Sequence, residues 1–298
     1  MTTKRRSAKK ETNAAAVPLR VPQIALSNLM AYGILAVLLV YTFYPTFVWM
    51  VDRWLAKDSY FSHGFLAPLV TLYWLYKQRI QLTQTEARSE KWGLAIMIAG
   101  GLLQLASAVL RIYFLSAVSF VIILFGAVTY LFGRTIIKKI WFPILFLLVM
   151  VPLPLLVISH VTIKMKFFVS AIAVSMINAI GIRAVQEGSY VFTPNAAMLV
   201  GDPCSGLRSF LAFIALGLVF AYEGRFPVWK RILIVACGLP LAILSNVIRV
   251  FSLGVLGEIY GMEFTKGFVH DASGFVVFLL AFLVMLLIRN KLEEPHRA

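Results

Sequence analysis

The chain has 298 residues, 60% of them apolar and 14% charged, with a formal net charge of +15 and a mean hydropathy of +0.86. Soluble domains run at ~45–50% apolar and ~25% charged, so this composition excludes a water-soluble enzyme, a fibre and a disordered chain. Two cysteines are too few for a disulfide scaffold or a four-thiolate metal site.

Apolar runs of ~18 or more residues recur along the chain, the pattern of membrane-spanning helices. Residues 1–27 open with MTTKRRSAKKETNAAAVP and are expected to form a disordered basic cytoplasmic tail. The apolar run behind them is too long for a signal peptide and has no clear small-residue cleavage site. Eight spans are expected: 28–50, 63–77, 93–111, 112–132, 140–158, 204–222, 231–256 and 271–289. An even number puts both termini on one side. With the N-terminus inside, the inner segments hold 19 Lys and Arg against six acids, and the outer segments hold seven against seven. Arg208 and Arg249 fall within spans. The basic excess is therefore a positive-inside bias, and nothing remains of it to support nucleic-acid binding.

Between spans five and six, Pro152 and Pro154 would break the helix. Segment 160–182 is then expected to be an amphipathic or re-entrant helix at the outer surface, with Lys164 and Lys166 snorkelling. Segment 183–203 carries Gly, Pro and Asn turn signals around short β-prone runs and is expected to be a small outer hairpin or cap. The expected fold is thus an all-α integral membrane protein. It has about eight transmembrane helices, the outer helix and the cap, in one domain over 28–290, with 291–298 as a short cytoplasmic tail.

The residues that could do chemistry are polar groups in or beside apolar helix. Cys204 lies in GDPCSGLRS. With Asp202 as N-cap and Pro203 at the first helical position, it would occupy the first turn of span six. Unpaired amides and the helix dipole favour a thiolate there, and Arg208 one turn on adds positive charge. A small buried thiol beside a cap is the plainer alternative. Cys237, among apolar neighbours, reads as a small hydrophobe. Arg249, in SNVIRV, stands inside span seven, where an arginine costs at least ~2.5 kcal/mol at a helix centre and so suggests function. Asn246 and Ser245 share its face. A guanidinium toward the outer end would hold a thiolate, stabilise an oxyanion or grip a carboxylate; alternatively it pins neighbouring helices. His270, in KGFVHDASG just before span eight, suits acid–base work near neutrality, or is an interfacial histidine bonded to backbone. Gly274, one turn later, would admit a neighbouring helix.

A cysteine, an arginine and a histidine near one surface of three successive spans are what acyl transfer from a peptide bond requires. A second outer cluster, Asp58, Tyr60, Ser62 and His63, is either a polar loop capping span two or a helper histidine and substrate gate. Tyr60, His63, Arg208 and Asn246 are the accessory candidates. No cofactor and no metal are expected, since no HExxH or paired ligand spacing occurs.

CSGLRS opening one helix, NVIR inside the next and HDASG opening the last look like the three signature sites of the exosortase/archaeosortase family. DSYFSHGF and the VPLP before the outer helix are also similar to that family's pattern, and the resemblance covers roughly 50–290. It implies a membrane-embedded cysteine peptidase and transpeptidase, a thiol protease of protein sorting. Cys204 would be the nucleophile, Arg249 the stabiliser and His270 the general acid/base. Its partners would be secreted proteins bearing a C-terminal signal: a short motif (Pro-Glu-Pro in the commonest bacterial, PEP-CTERM kind), one transmembrane helix and a basic cluster. Cleavage would occur through a thioester at the outer face of the cytoplasmic (inner) membrane, with transfer to water, a lipid or a glycan. The large soluble C-terminal domain of some members is expected to be absent. Three other readings stand beside it. A transporter fits the prolines within helices, though the span interiors hold no Asp or Glu. A zinc hydrolase would use Cys204, His270 and His63. A non-catalytic assembly factor for envelope polysaccharide would keep all three residues as structural.

Overall fold

A computed structural model describes residues 26–57, 59–201, 205–265 and 267–293; the expectations for 1–25 and 294–298 fall outside them. Eight helices are present among these residues: α1 (Leu26–Leu55), α2 (Leu66–Thr83), α3 (Lys91–Leu110), α4 (Tyr113–Phe146), α5 (Leu155–Ala179), α6 (Leu207–Glu223), α7 (Val228–Tyr260) and α8 (Phe268–Leu292). Three short strands, β1 (Val185–Glu187), β2 (Tyr190–Thr193) and β3 (Ala196–Leu199), lie between α5 and α6. The chain divides into one unit ending at Thr42 and another from Phe43 onward. In the first, the Thr42 hydroxyl donates to the Leu38 carbonyl within α1 (2.8 Å). The contacts below belong to the second.

The chain is a multi-pass membrane protein by composition. Six helical stretches among the described residues are long and apolar enough to cross a bilayer, where the sequence reading expects eight. Lys77, Gln78, Arg79 and Gln81 make α2 too polar, and α6 has 17 residues. One of the six, Tyr113–Met150, is 38 residues long and contains a reversal. At Gly133 the backbone takes φ 77°, ψ −174°, open to glycine and strained for other residues. Arg88 donates its N–H to the Phe132 carbonyl (3.3 Å), and the Arg88 carbonyl occupies the space a Cβ on Gly133 would need. Tyr113, at one extremity, stacks on Trp49 with centroids 5.8 Å apart. At the other, the Met150 carbonyl accepts from Trp54 Nε1 at 2.9 Å. Both extremities therefore lie beside the last turns of α1, and the chain doubles back at Gly133. The expected spans 112–132 and 140–158 correspond to these two arms. The second arm closes in a 3-10 turn at Leu147–Met150, not at 158, because Val151 turns extended ahead of Pro152.

α5 is longer than the outer helix expected over 160–182. It packs Val169, Ala173 and Ile177 with Val247, Val250 and Leu253, alongside the C-terminal half of α7. The N-terminal half of α7 packs elsewhere: Ile234 lies in a cluster with Phe213 of α6 and Met285 of α8. The expected hairpin is a three-stranded antiparallel sheet in the order β1-β2-β3. Val191 and Met198 on its inner face join the α5–α7 cluster. Its β2–β3 turn is tied to α7 by Glu258, which accepts from the Asn195 backbone N–H (2.9 Å) and side-chain amide (2.8 Å).

Candidate active site

α6, α7 and α8 position the candidate residues. α6 and α7 run antiparallel at close range, because small residues leave room. A Cβ on Gly238 would stand 3.2 Å from Phe213, one on Gly217 3.0 Å from Val235, and one on Gly206 3.1 Å from Asn246. At the other end of α7, Lys230 Nζ donates to the Leu292 carbonyl (3.0 Å) and Arg231 Nε to the Phe226 carbonyl (2.9 Å). Nineteen residues of helix separate Lys230 from Arg249, about 28 Å at 1.5 Å per residue. A bilayer's hydrocarbon is ~30 Å thick. With the basic end at one boundary, Arg249 stands at the other.

Arg249 is half-buried and bridges α7 to the first turns of α8. Its Nη2 donates to the His270 carbonyl (3.0 Å) and its Nε to Ser273 Oγ (3.4 Å). The Ser273 hydroxyl donates in turn to the same carbonyl (2.7 Å). The guanidinium lies across Gly274, where a Cβ would fall 3.0 Å from Cζ. The close approach expected at Gly274 is thus made by a guanidinium as well as by a helix. His270 is the third residue of α8, not a residue ahead of it, because the helix begins at Phe268 after Gly267. Ser273 is not among the residues the sequence singles out; its spacing of three from His270, one helical turn, is the signal that marks it.

The start of α6 differs from expectation. The helix begins at Leu207 with Gly206 as N-cap at φ 78°, later than the start at Pro203 that the sequence leads one to expect. Asp202, Pro203 and Cys204 themselves lie outside the described residues. The two residues that follow are well held. Ser205 is buried, its hydroxyl accepts from the Leu207 N–H (3.3 Å), and Gly206 packs on Asn246, a buried residue one turn before Arg249. Arg208 becomes the second residue of α6; its Nε is buried without a hydrogen-bond partner among the described residues.

The early cluster reaches the same place. Phe61 packs with Ile158 and with Leu207, and Tyr60 joins them. Asp58 lies outside the described residues. No polar side chain caps α2, whose N-cap is Phe65; the preceding turn is closed by backbone bonds, Gly64 N–H to the Phe61 carbonyl (2.8 Å) and Leu66 N–H to the His63 carbonyl (3.0 Å). The His63 ring sits beside Phe61, centroids 6.2 Å apart. Burial holds its pKa below the usual 6.5. Below pH ~6.5 the unfolded chain takes up a proton at this site that the folded one resists, so stability falls as pH drops. Thermal unfolding in detergent is expected to show a decline from pH ~7 to ~5 that is shallower in His63→Gln. An unchanged decline would assign it to other groups.

Long apolar helices in which an arginine of α7 is bonded to the backbone of a histidine in α8, with Gly206 against Asn246 one turn away, define an integral membrane protein whose candidate polar residues gather toward one end of three helices. The family of transmembrane exosortases matches residues 49–287, and the chain belongs to that family. No curated protein and no solved structure matches it.

Proposed function

We propose that the chain is a membrane cysteine peptidase and transpeptidase that cleaves PEP-CTERM-like C-terminal sorting signals and passes the released acyl group to an acceptor. The observation that carries this reading is the convergence on α7. Gly206, two residues after Cys204, packs on Asn246, and one turn further Arg249 is bonded to the first turn of α8, where His270 stands.

In this reading 28–290 is the catalytic domain and both termini are cytoplasmic. The basic end of α7 and α8 faces the cytoplasm, and the site faces outward from the cytoplasmic membrane. The substrate's transmembrane helix packs laterally, which delivers its motif to the boundary beside Cys204. The thiolate sulfur attacks the carbonyl carbon, and Arg249 takes the charge of the tetrahedral oxyanion. The C–N bond breaks as His270 gives its proton to the departing amine, leaving a thioester. An amine or water then surrenders a proton to His270 and attacks, and the thiolate leaves. Tyr60, His63, Arg208 and Asn246 line the approach.

The test is to trap the intermediate. Membranes holding the enzyme and a tagged secreted substrate are expected to yield a hydroxylamine-labile adduct on Cys204 that disappears in Cys204→Ala along with cleavage. Cleavage that survives Cys204→Ala would sink the reading.

A further inference from the structure

His270, Ser273 and Gly274 share one face of α8, at i, i+3 and i+4, and Arg249 of α7 lies against that face. Three hydrogen bonds close a triangle there. Arg249 Nη2 donates to the His270 carbonyl (3.0 Å), and the Ser273 hydroxyl donates to the same carbonyl (2.7 Å). Ser273 Oγ accepts from Arg249 Nε (3.4 Å). A hydroxyl has one proton and two lone pairs. With its proton committed to the His270 carbonyl, Ser273 Oγ can only accept from the guanidinium, so the direction of each bond is fixed.

The choice of nitrogens matters as much as the distances. A guanidinium is planar and rigid, and the N–H of Nε lies beside one N–H of Nη2 along a single edge. That edge is the one bonded to α8. The end formed by Nη1 and the second Nη2 hydrogen is therefore turned away from the α8 turn. The His270 carbonyl by itself would hold one nitrogen and let the plane pivot about it. A second acceptor stops the pivot, and of the triangle's two acceptors only Ser273 Oγ belongs to a side chain.

We infer that Ser273 is a positioning residue for Arg249: its hydroxyl decides which edge of the guanidinium faces the reacting carbonyl, and so aims the partner of the oxyanion. This rests on the proposed function. Ser273 acts through Arg249 and not on the substrate. Its loss leaves the charge in place but unaimed, on a side chain with much rotamer freedom to regain. A misplacement of a full 1 Å costs up to ~10²-fold. A pivot about one retained bond is smaller, so the loss should fall in kcat, with KM little changed.

The experiment uses the full chain in nanodiscs and a tagged passenger ending in a Pro-Glu-Pro motif, a transmembrane helix and a basic cluster. Valine and threonine have the same shape and differ in the hydroxyl, and threonine in a helix can bond back to the carbonyl three or four residues earlier. Ser273→Val is expected to lose ~10-fold in kcat, and Ser273→Thr to recover most of that loss. Equal losses in the two variants would make Ser273 a packing residue and overturn the inference. Ser273→Val is then repeated in Arg249→Ala. A residue that acts through Arg249 costs nothing further there, whereas losses that multiply overturn the inference. Thermal unfolding in detergent supplies a readout without turnover: the Ser273→Val and Arg249→Ala shifts should sum to more than the shift of the double variant. Additive shifts would show that Ser273 does not hold Arg249. Coupled shifts in a chain that cleaves no passenger would keep that hold and overturn the reaction.

Discussion

Arg249→Ala is expected to lower kcat/KM for signal release by ~10²–10³-fold, the loss typical of removing an oxyanion partner. The guanidinium has two jobs that a smaller cation cannot share. It reaches the His270 carbonyl and Ser273 Oγ with separate nitrogens, 3.0 and 3.4 Å away, and on the proposed function it also takes the oxyanion's charge. Arg249→Lys should therefore remain close to the alanine variant, since an ammonium on a flexible stem cannot reproduce that fork. Thermal unfolding in detergent, run beside the kinetics, separates lost chemistry from lost fold. Near wild-type cleavage by Arg249→Lys would show that charge alone suffices and that the geometry is incidental.

Gly274 offers a sharper contrast, because activity and stability should move in opposite directions. Alanine in a helix interior is favoured over glycine by ~1 kcal/mol, so Gly274→Ala should leave the melting temperature unchanged or raise it. Its Cβ, however, would lie 3.0 Å from Cζ and 3.1 Å from Nη2 of Arg249. The guanidinium is the mobile end of its side chain and gives way. The shift required is a few tenths of an ångström, and a full 1 Å misplacement costs up to ~10²-fold. About a tenfold loss of kcat is expected for Gly274→Ala, and ~10²-fold for Gly274→Val, with KM little changed. A fall in melting temperature that tracks activity would instead mark Gly274 as a packing residue only.

Much of this architecture was legible from apolar runs and charge. Long apolar helices, the Pro152–Pro154 break and the Gly188 and Pro194–Asn195 turns all appear where local chemistry dictates. The departures have physical causes. Asp202 and Pro203 are good helix openers by local rule, yet Gly206 three residues on takes a left-handed conformation against Asn246, a contact forty residues away in sequence. The end of the second α4 arm was set too late because apolarity continues through Val151–Pro154 while the backbone does not. The candidate site was legible as residue types in order: Arg249 as an arginine within apolar helix, Gly274 as room for a neighbour. Which neighbour fills that room is a matter of helix packing, and so Ser273 and the backbone bond to His270 emerged only in three dimensions.

The length of α7 has one more consequence. Its 33 residues make a rod of ~50 Å, about 20 Å longer than the hydrocarbon it would cross, and the surplus carries the sheet at Gly254–Glu258. On the proposed function, the bond to be cut lies at the foot of a post, and a folded passenger cannot descend that far. Only slack chain can: α7 runs 11 residues beyond Arg249, ~16 Å along the helix, which about five extended residues span. The post then acts as a ruler: a passenger whose folded part ends flush with its motif is refused, and one with a short tether is accepted.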